Sequence, residues 1–247
     1  DGMQSYELKL SWFDGGNLRN AIPREAYAIF GVPVRFKDEF IKHYKLFAAD
    51  LEAEFRLREP NFKITLNEMP QVDRVLDART QFGLVYSLVG VPNGVHAMSF
   101  AVPGLVETST NLASVKFVGD DRIVVTSSQR SSVESAKTYV MQMVESVFAL
   151  AGADVAHSDG YPGWTPDPQS ALLAKTVDAY KRLFCADPKV RAIHAGLECG
   201  LFLEKYPELE MVSFGPTLRG VHSPDERLEI ATVPKFWDLL LEVLKTV

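Results

Sequence analysis

Several features that assign a protein to a particular class are scarce or missing in this sequence. It has two cysteines in 247 residues, too few for a disulfide framework, and a chain of this length can bury a core without one. Lys and Arg form no dense cluster and the formal net charge is −6, which argues against nucleic acid or an anionic membrane as a partner. No apolar run reaches the roughly 20 residues of a membrane span. We therefore expect a reduced, cytoplasmic protein without nucleic-acid or membrane partners.

The first part of the chain contains ample apolar material and strands that can pair as hairpins. Hydrophobic residues make up 47% of the chain and charged residues 23%, as in globular proteins. Val106 to Phe117 alternates apolar and polar residues, and Arg122 to Gln129 is rich in Val and Thr. A Gly-Asp-Asp turn lies between them, which predicts two antiparallel strands. With helices between such strands, residues 1–157 are predicted to form an α+β domain, an antiparallel sheet with helices on one face.

Helical periodicity predicts the main helices of this part. Apolar residues three and four positions apart predict one long amphipathic helix from Phe36 to Glu59 and a second from Val72 to Val89. A third helix, Ser131 to Ala151, begins with a serine followed three residues later by a glutamate, the pattern of a capping box. A short strand is predicted at Phe62 to Leu66.

A Pro-rich segment, Tyr161 to Pro168, marks a boundary to a second pattern. Beyond it, helices alternate with short predicted strands at Val190 to Ile193 and Met211 to Phe214, an order typical of α/β proteins with a parallel sheet. Two strands make a poor sheet alone. We therefore expect residues 158–247 to be part of a larger α/β domain.

His222 is the first candidate for chemistry. It lies on a loop rich in Gly and Pro after a predicted strand, where α/β sheets present functional side chains. Ser223, Asp225 and Glu226 follow it and are able to orient an imidazole or a water. A metal ligand and a surface histidine on a turn both fit this pattern.

The segment His194–Gly200 is a second candidate, because it holds an imidazole, a glutamate and Cys199. One interpretation is a catalytic cysteine activated by a histidine, and another is a small buried cysteine beside a glycine. A zinc cluster that adds His222 to these side chains is a third interpretation, although no CxxC or HExxH spacing supports it.

Two polar positions in the first part suit an anionic ligand. Alternating residues predict a strand from Tyr6 to Phe13. Asn20 lies close to Arg19 and Arg24 on the loop that follows it, and an amide beside a guanidinium suits a carboxylate. Turn formation explains the asparagine equally well. Arg130 closes a predicted strand at the start of a helix, where it would meet an anionic ligand or form a surface ion pair.

Five segments, in this order, resemble the aminoacyl-histidine dipeptidases (Xaa-His dipeptidases), which belong to the co-catalytic zinc peptidases. They are Gly15–Glu25, Val106–Leu112, Gly160–Trp164, His194–Phe202 and Gly215–Glu226. The resemblance extends over essentially the whole chain. It implies a subunit in which a lid that also dimerises interrupts a zinc-peptidase catalytic domain. By this resemblance residues 1–157 match the lid and residues 158–247 the C-terminal part of the catalytic domain, so the chain looks like the C-terminal half of a longer subunit.

The resemblance also implies residue roles. His222 matches the last zinc ligand, and Gly196 matches a backbone contact to substrate. Asn20 and Arg130 match lid positions that hold substrate, with Asn20 acting across a homodimer interface. The implied reaction is hydrolysis of Xaa-His dipeptides with two zinc ions, and we expect this chain alone to be inactive. A non-catalytic dimerisation or small-ligand-binding module that uses the α+β sheet alone is the alternative.

Overall fold

A computed structural model describes residues 2–100, 104–119, 121–158, 160, 162–164, 167, 169–191, 199–221 and 223–246. The helices and strands follow in the order α1 (Gly2–Ser5), β1 (Lys9–Gly16), β2 (Ala26–Gly31), α2 (Lys37–Phe55), α3 (Ala78–Gly90), β3 (Gly94–Met98), β4 (Val106–Val118), β5 (Arg122–Ser131), α4 (Glu134–Leu150), α5 (Ala171–Phe184), α6 (Cys199–Lys205), β6 (Leu218–Arg219), β7 (Arg227–Leu228) and α7 (Val233–Leu244). No described helix is both long enough and apolar enough to cross a membrane.

Strand β4 organises the main sheet. Its whole length pairs antiparallel with β5, from Thr108 opposite Ser131 to Val118 opposite Arg122. Its other edge is shared by two strands, because β3 pairs with its first part and β1 with the residues around Val115. Strand β2 extends the sheet beyond β1, again antiparallel. The predicted α+β architecture and the predicted β4–β5 hairpin are therefore confirmed.

A side chain fills the place on β4 where its pairing changes from β3 to β1. The Oδ1 atom of Asn93, which precedes β3, accepts a hydrogen bond from the backbone N–H of Leu112 at 2.8 Å. Backbone donors at such a junction lack a strand partner and are costly if left unsatisfied. Asn93 therefore completes the edge of β4 between its two neighbours.

A buried side-chain amide likewise satisfies backbone groups at the start of β1. Gln81 on α3 is only 5% exposed, and its Oε1 atom accepts from the N–H of Leu10 at 2.7 Å. Its Nε2 atom donates to the carbonyl oxygen of Leu8 at 2.8 Å. Because one amide supplies both an acceptor and a donor, it replaces the backbone of a neighbouring strand.

Two helix starts differ from the prediction. Helix α3 begins at Ala78 rather than Val72, because the Asp77 carboxylate accepts from the N–H groups of Arg79 and Thr80 and caps it there. A hydrogen bond from the Thr80 side chain, followed by the bonds from the backbone N–H groups, lowers the pKa of Asp77 below its ordinary value. Helix α4 begins at Glu134 with no side-chain cap, so the predicted capping box is wrong.

The predicted strand at Phe62 to Leu66 is also wrong. This segment is irregular, and the backbone N–H of Ile64 donates to the Glu52 carboxylate of α2 at 3.2 Å instead of to a strand. An alternating segment becomes a strand only if its backbone groups pair with a neighbouring strand. Here the N–H of Ile64 is bonded to the Glu52 side chain instead.

The described residues after position 158 form a helical unit with one small hairpin. Helices α5 and α7 pack around Ala179, Leu239 and Val243, with Phe214 against them. The segment 211–214 is not a strand, and β6 and β7 pair antiparallel. The predicted strand at 190–193 lies partly outside the described residues. The expected parallel α/β alternation is thus not observed in the described part of this region.

Helix α5 is closed at its start by two residues. Ser170 is the N-cap, and its hydroxyl accepts from the N–H of Leu173. The Glu210 carboxylate accepts from the N–H of Leu172 at 2.7 Å and from the Ser170 hydroxyl at 2.8 Å. These hydrogen bonds lower the pKa of Glu210 below its ordinary value, and the bond from the Leu172 N–H has the largest effect. The segment after α6 is thereby tied to α5.

Candidate functional site

Two of the four residues predicted to form the site are described by the structure. Asn20 and Arg130 lie in described segments, whereas Gly196 and His222 lie outside the described residues. The site can therefore be built from its two lid-type positions and from the segments that flank the other two.

Arg130 is the penultimate residue of β5 and lies directly opposite Ser109 of β4. Its side chain is half-buried, and no carboxylate among the described residues forms an ion pair with it. The adjacent Ser131 points to the other side of the sheet, where its hydroxyl bonds to Thr108 Oγ1 at 2.8 Å. Thr108 and Ser131 are buried, at 0% and 3% exposure. Arg130 therefore lies on the more open face of the sheet.

Asn20 lies at an exposed turn in the loop between β1 and β2. The loop is closed at its base by the N–H of Gly16 donating to Glu25 O at 3.1 Å. Its tip is closed by the N–H of Ala21 donating to Leu18 O, also at 3.1 Å. Within the described chain the Asn20 side chain forms no hydrogen bond. Its amide is available to a ligand.

Asn111 of β4 connects this loop to the face that carries Arg130. Successive strand residues alternate between the two faces, so Asn111 shares a face with Ser109 and hence with Arg130. Two residues along a strand correspond to roughly 7 Å. Asn111 Nδ2 donates to the carbonyl oxygen of Ala21 at 2.8 Å. The Asn20 loop and the Arg130 guanidinium thus belong to one face of one sheet.

A tight backbone crossing joins the end of β5 to the start of α6. Gly163 lies so close to the Ser131 carbonyl that a Cβ atom at this position would collide with it. Gly200, in the first turn of α6, lies equally close to the carbonyl of Pro162. Residues 162–163 are therefore held between β5, one residue from Arg130, and α6, which directly follows the segment containing Gly196.

The loop that contains His222 is bounded by the β6–β7 hairpin. The Ser223 hydroxyl donates to the Gly220 carbonyl at 2.7 Å and accepts from the N–H of Asp225 at 3.2 Å. This hydroxyl therefore helps to hold the turn, and its predicted role of orienting an imidazole or a water stays a prediction. Arg227 Nη1 donates to the Asp225 carbonyl at 3.1 Å and further fixes the turn.

The described residues contain no group of three or more His, Cys, Asp or Glu side chains that could hold a metal ion. Neither cysteine forms a disulfide, and Cys199 is partly exposed at the start of α6. His194 and Glu198 lie outside the described residues, so the cysteine-hydrolase and zinc-cluster interpretations stay predictions. Any metal site in the described part must draw ligands from elsewhere.

Sequence reasoning missed the role of Asn111. It lies in Glu107–Asn111, a polar segment at the start of a predicted strand whose residue types favour a structural role. The signal was an amide on a strand otherwise rich in Thr, Ser and apolar residues, since asparagine is disfavoured in strands. Its partners, however, are 90 and 92 positions away in the sequence.

Comparison with known proteins found two similar dipeptidases. No protein-family model matches the chain. The chain is 39% identical over 244 residues to the cytosol non-specific dipeptidase of Escherichia coli (strain K12), covering 99% of this chain and 50% of that protein. Its fold matches the crystal structure of aminoacylhistidine dipeptidase from Vibrio alginolyticus with a TM-score of 0.83 and 39% identity, over 99% of this chain and 50% of that one.

The resemblance seen in the sequence is thereby confirmed: the chain is similar to an aminoacylhistidine dipeptidase and to a cytosol non-specific dipeptidase. It spans about half the length of the two relatives that it matches. The identification of the chain as their C-terminal half is not supported, because the matches establish only the share of each relative that is covered.

Proposed function

We propose that the full-length protein containing this chain is a dipeptidase that hydrolyses Xaa-His dipeptides. The observation that carries this proposal is that the guanidinium of Arg130 and the amide of Asn20 have no partners among the described residues, so each is available to a substrate. The kinship with a cytosol non-specific dipeptidase and an aminoacylhistidine dipeptidase supports the reaction class. We also propose a cytoplasmic location, because the first relative is a cytosol dipeptidase.

Each residue has a proposed task. Arg130 binds the free C-terminal carboxylate of the dipeptide, which suits the planar fork of a guanidinium. Asn20 donates from its amide to the carbonyl oxygen of the scissile bond, where negative charge develops in the transition state. Gly196 offers a backbone contact to substrate. The free carboxylate is the feature that distinguishes a dipeptide from a longer peptide at this position.

We further propose two zinc ions as cofactors, one of them held by His222. The described residues that follow position 222 are held in a turn by hydrogen bonds of Ser223 and Arg227, and the resemblance assigns the ligand to His222. Bound zinc would supply a Lewis acid and an activated water. The described part of this chain offers no group of ligands, so the remaining ligands would come from the rest of the full-length protein. We therefore propose that this chain alone is inactive and binds metal weakly.

The proposed organisation is a lid and dimerisation domain at residues 1–157 and a part of the catalytic domain at residues 158–247. In a homodimer formed through the lid, Asn20 of one subunit would act on substrate held by Arg130 of the other. Closing the lid would exclude water and bring both donors onto the substrate.

The test compares an Xaa-His dipeptide with its C-terminal amide. The full-length protein should cleave the free acid, lose activity on metal chelation, and regain it with Zn²⁺. Arg130→Met should lower kcat/KM for the free acid by about 100-fold, the scale for loss of one charged transition-state contact, and should affect the amide much less. Arg122→Met, at the exposed start of the same strand, is the matched control.

Cleavage by the 247-residue chain alone would contradict the fragment proposal. A full-length protein that cleaves no dipeptide would favour the alternative of a non-catalytic dimerisation or ligand-binding module. One observation favours that alternative: the outer edge of β5, ten residues long, pairs with no strand in the described chain. Such an edge is a ready template for a second copy.

A further inference from the structure

The structure assigns a second side chain to the loop that carries Asn20. Asn111 Nδ2 donates to the carbonyl oxygen of Ala21 at 2.8 Å and to that of Arg19 at 3.4 Å. These two carbonyls lie immediately on either side of Asn20 in the chain. We propose that Asn111 is a positioning residue for Asn20, fixing the backbone on both sides of it. This inference rests on the proposed role of Asn20 in substrate binding.

The orientation of the Asn111 amide follows from its partners. Both are carbonyl oxygens, which only accept, so the NH₂ group of Asn111 must face them. Asn93 lies against the same stretch of β4 in the opposite sense, because its Oδ1 atom accepts from the N–H of Leu112. Two asparagines near one point of the sheet thus use opposite ends of the same chemical group.

The two bonds from Asn111 differ in effect from the other bonds of the loop. Ala21 N–H to Leu18 O and Gly16 N–H to Glu25 O close the loop on itself and at its base. The bonds from Asn111 instead join the tip of the loop to the sheet that carries Arg130. A loop fixed before substrate arrives need not be ordered during binding, which is the benefit of preorganisation.

The opposite use of the two asparagines provides a matched pair of variants. In the full-length protein, Asn111→Asp keeps the shape of the side chain but cannot donate to either carbonyl. Asn93→Asp adds the same charge close by and still accepts from Leu112. We expect N111D to lower kcat/KM for an Xaa-His dipeptide by about 10-fold, the scale of one to two net hydrogen bonds, and N93D to change it less than about 2-fold.

The kinetic test of positioning is a double-mutant cycle with Asn20→Ala. N111D should alter the same parameter, kcat or KM, that N20A alters, and should cause no further loss in the N20A background. Additive losses, or full activity of N111D when N20A is impaired, would overturn the inference. If N20A retains full activity in a protein that cleaves dipeptides, the role of Asn20 fails and the inference fails with it.

Hydrogen exchange of the 247-residue chain supplies a readout that does not depend on activity. The Ala21 amide should exchange about 10-fold faster in N111D and at its original rate in N93D, with the Leu10 amide unchanged in both. Unchanged Ala21 exchange in N111D would overturn the inference. Faster exchange at Leu10 as well would overturn it too, because Asn111 would then support the sheet rather than the loop. A different outcome is also informative: the Ala21 amide exchanges faster in N111D, but the full-length protein cleaves no dipeptide. That result would refute the proposed function, and with it the role of the Asn111 contact in substrate binding.

Discussion

Gly163 and Ser131 are in such close backbone contact that no side chain fits between them. The contact joins the last residue of β5 to the segment that leads toward α5 and α6. Since Arg130 precedes Ser131, the position of the proposed carboxylate-binding residue depends on it.

A methyl group at this contact should loosen it. Gly163→Ala should lower the free energy of unfolding by about 1–3 kcal/mol, the usual cost of overpacking, because the new Cβ meets backbone atoms that cannot rotate away. Gly160→Ala is the control, as nothing lies within 4 Å of a Cβ there. Urea unfolding of the three proteins measures the effect, and equal stability of the two variants would refute the close contact.

Subunit mixing tests whether Asn20 and Arg130 act together across a dimer. Asn20→Ala and Arg130→Ala should each be nearly inactive as homodimers of the full-length protein. Refolded together, they should recover about a quarter of wild-type activity, because half of the dimers are mixed and each mixed dimer has one intact site. Absence of any recovery, with mixed dimers demonstrated by mass, would mean that the two residues serve the same site from one chain.

The buried amide of Gln81 should be essential to the sheet. Gln81→Met conserves volume but leaves the N–H of Leu10 and the carbonyl of Leu8 without a partner. We expect the free energy of unfolding to fall by about 1–3 kcal/mol, the cost of buried unsatisfied groups. Gln142→Met, on an exposed position of α4, should be close to neutral. A thermal unfolding midpoint for Q81M equal to that of Q142M would show that water replaces the amide.

The contacts of Glu210 predict an acid-sensitive link between α5 and the segment after α6. Its pKa in the folded protein is lowered from the ordinary value of 4.5, first by the Leu172 N–H and then by the Ser170 hydroxyl. A lowered folded pKa means that the charged carboxylate stabilises the fold above pH 4.5, and that this contribution is lost as pH falls toward the folded pKa.

Glu210→Gln should therefore lower the thermal unfolding midpoint at pH 7, and the difference from the parent should shrink as pH falls below 4.5. The control is Glu208→Gln, an exposed glutamate two residues earlier. Midpoints measured from pH 7 to pH 3 give the comparison. A difference that stays constant over this range would contradict the proposed linkage.

The parts of the fold that were predictable from sequence are those set by local patterns. Alternation before a Gly-containing turn predicted β4, and the Val-rich and Thr-rich segment after the turn predicted β5. Helical spacing predicted α2 and α4. Strand β3 was missed because it is five residues long and follows Pro92-Asn93, which indicates a turn. The strand expected at 62–66 failed because Glu52 takes the donor of Ile64.

The candidate site was likewise predictable where local residue types carry the information, and not where contacts join distant parts of the chain. The residue types at Asn20 and Arg130 suggested an anion site, and the resemblance supplied their roles. That Asn111 holds the Asn20 loop was beyond local reasoning, because its hydrogen bonds link residues about 90 positions apart. Likewise, no local sequence pattern predicts that Gly163 lies against Ser131, because the contact depends on two distant backbone segments meeting in the fold.

The shared edge of β4 has a consequence for how this chain folds. The β1–β2 and β4–β5 pairs are each local, but joining them brings Asp14 to Lys116, which are 102 positions apart and form an ion pair at 2.7 Å. Contacts of such sequence separation close large loops and form slowly. The bond between Asn111 and the Asn20 loop depends on the same event, so newly made chains should acquire a fixed loop only after the two hairpins have met.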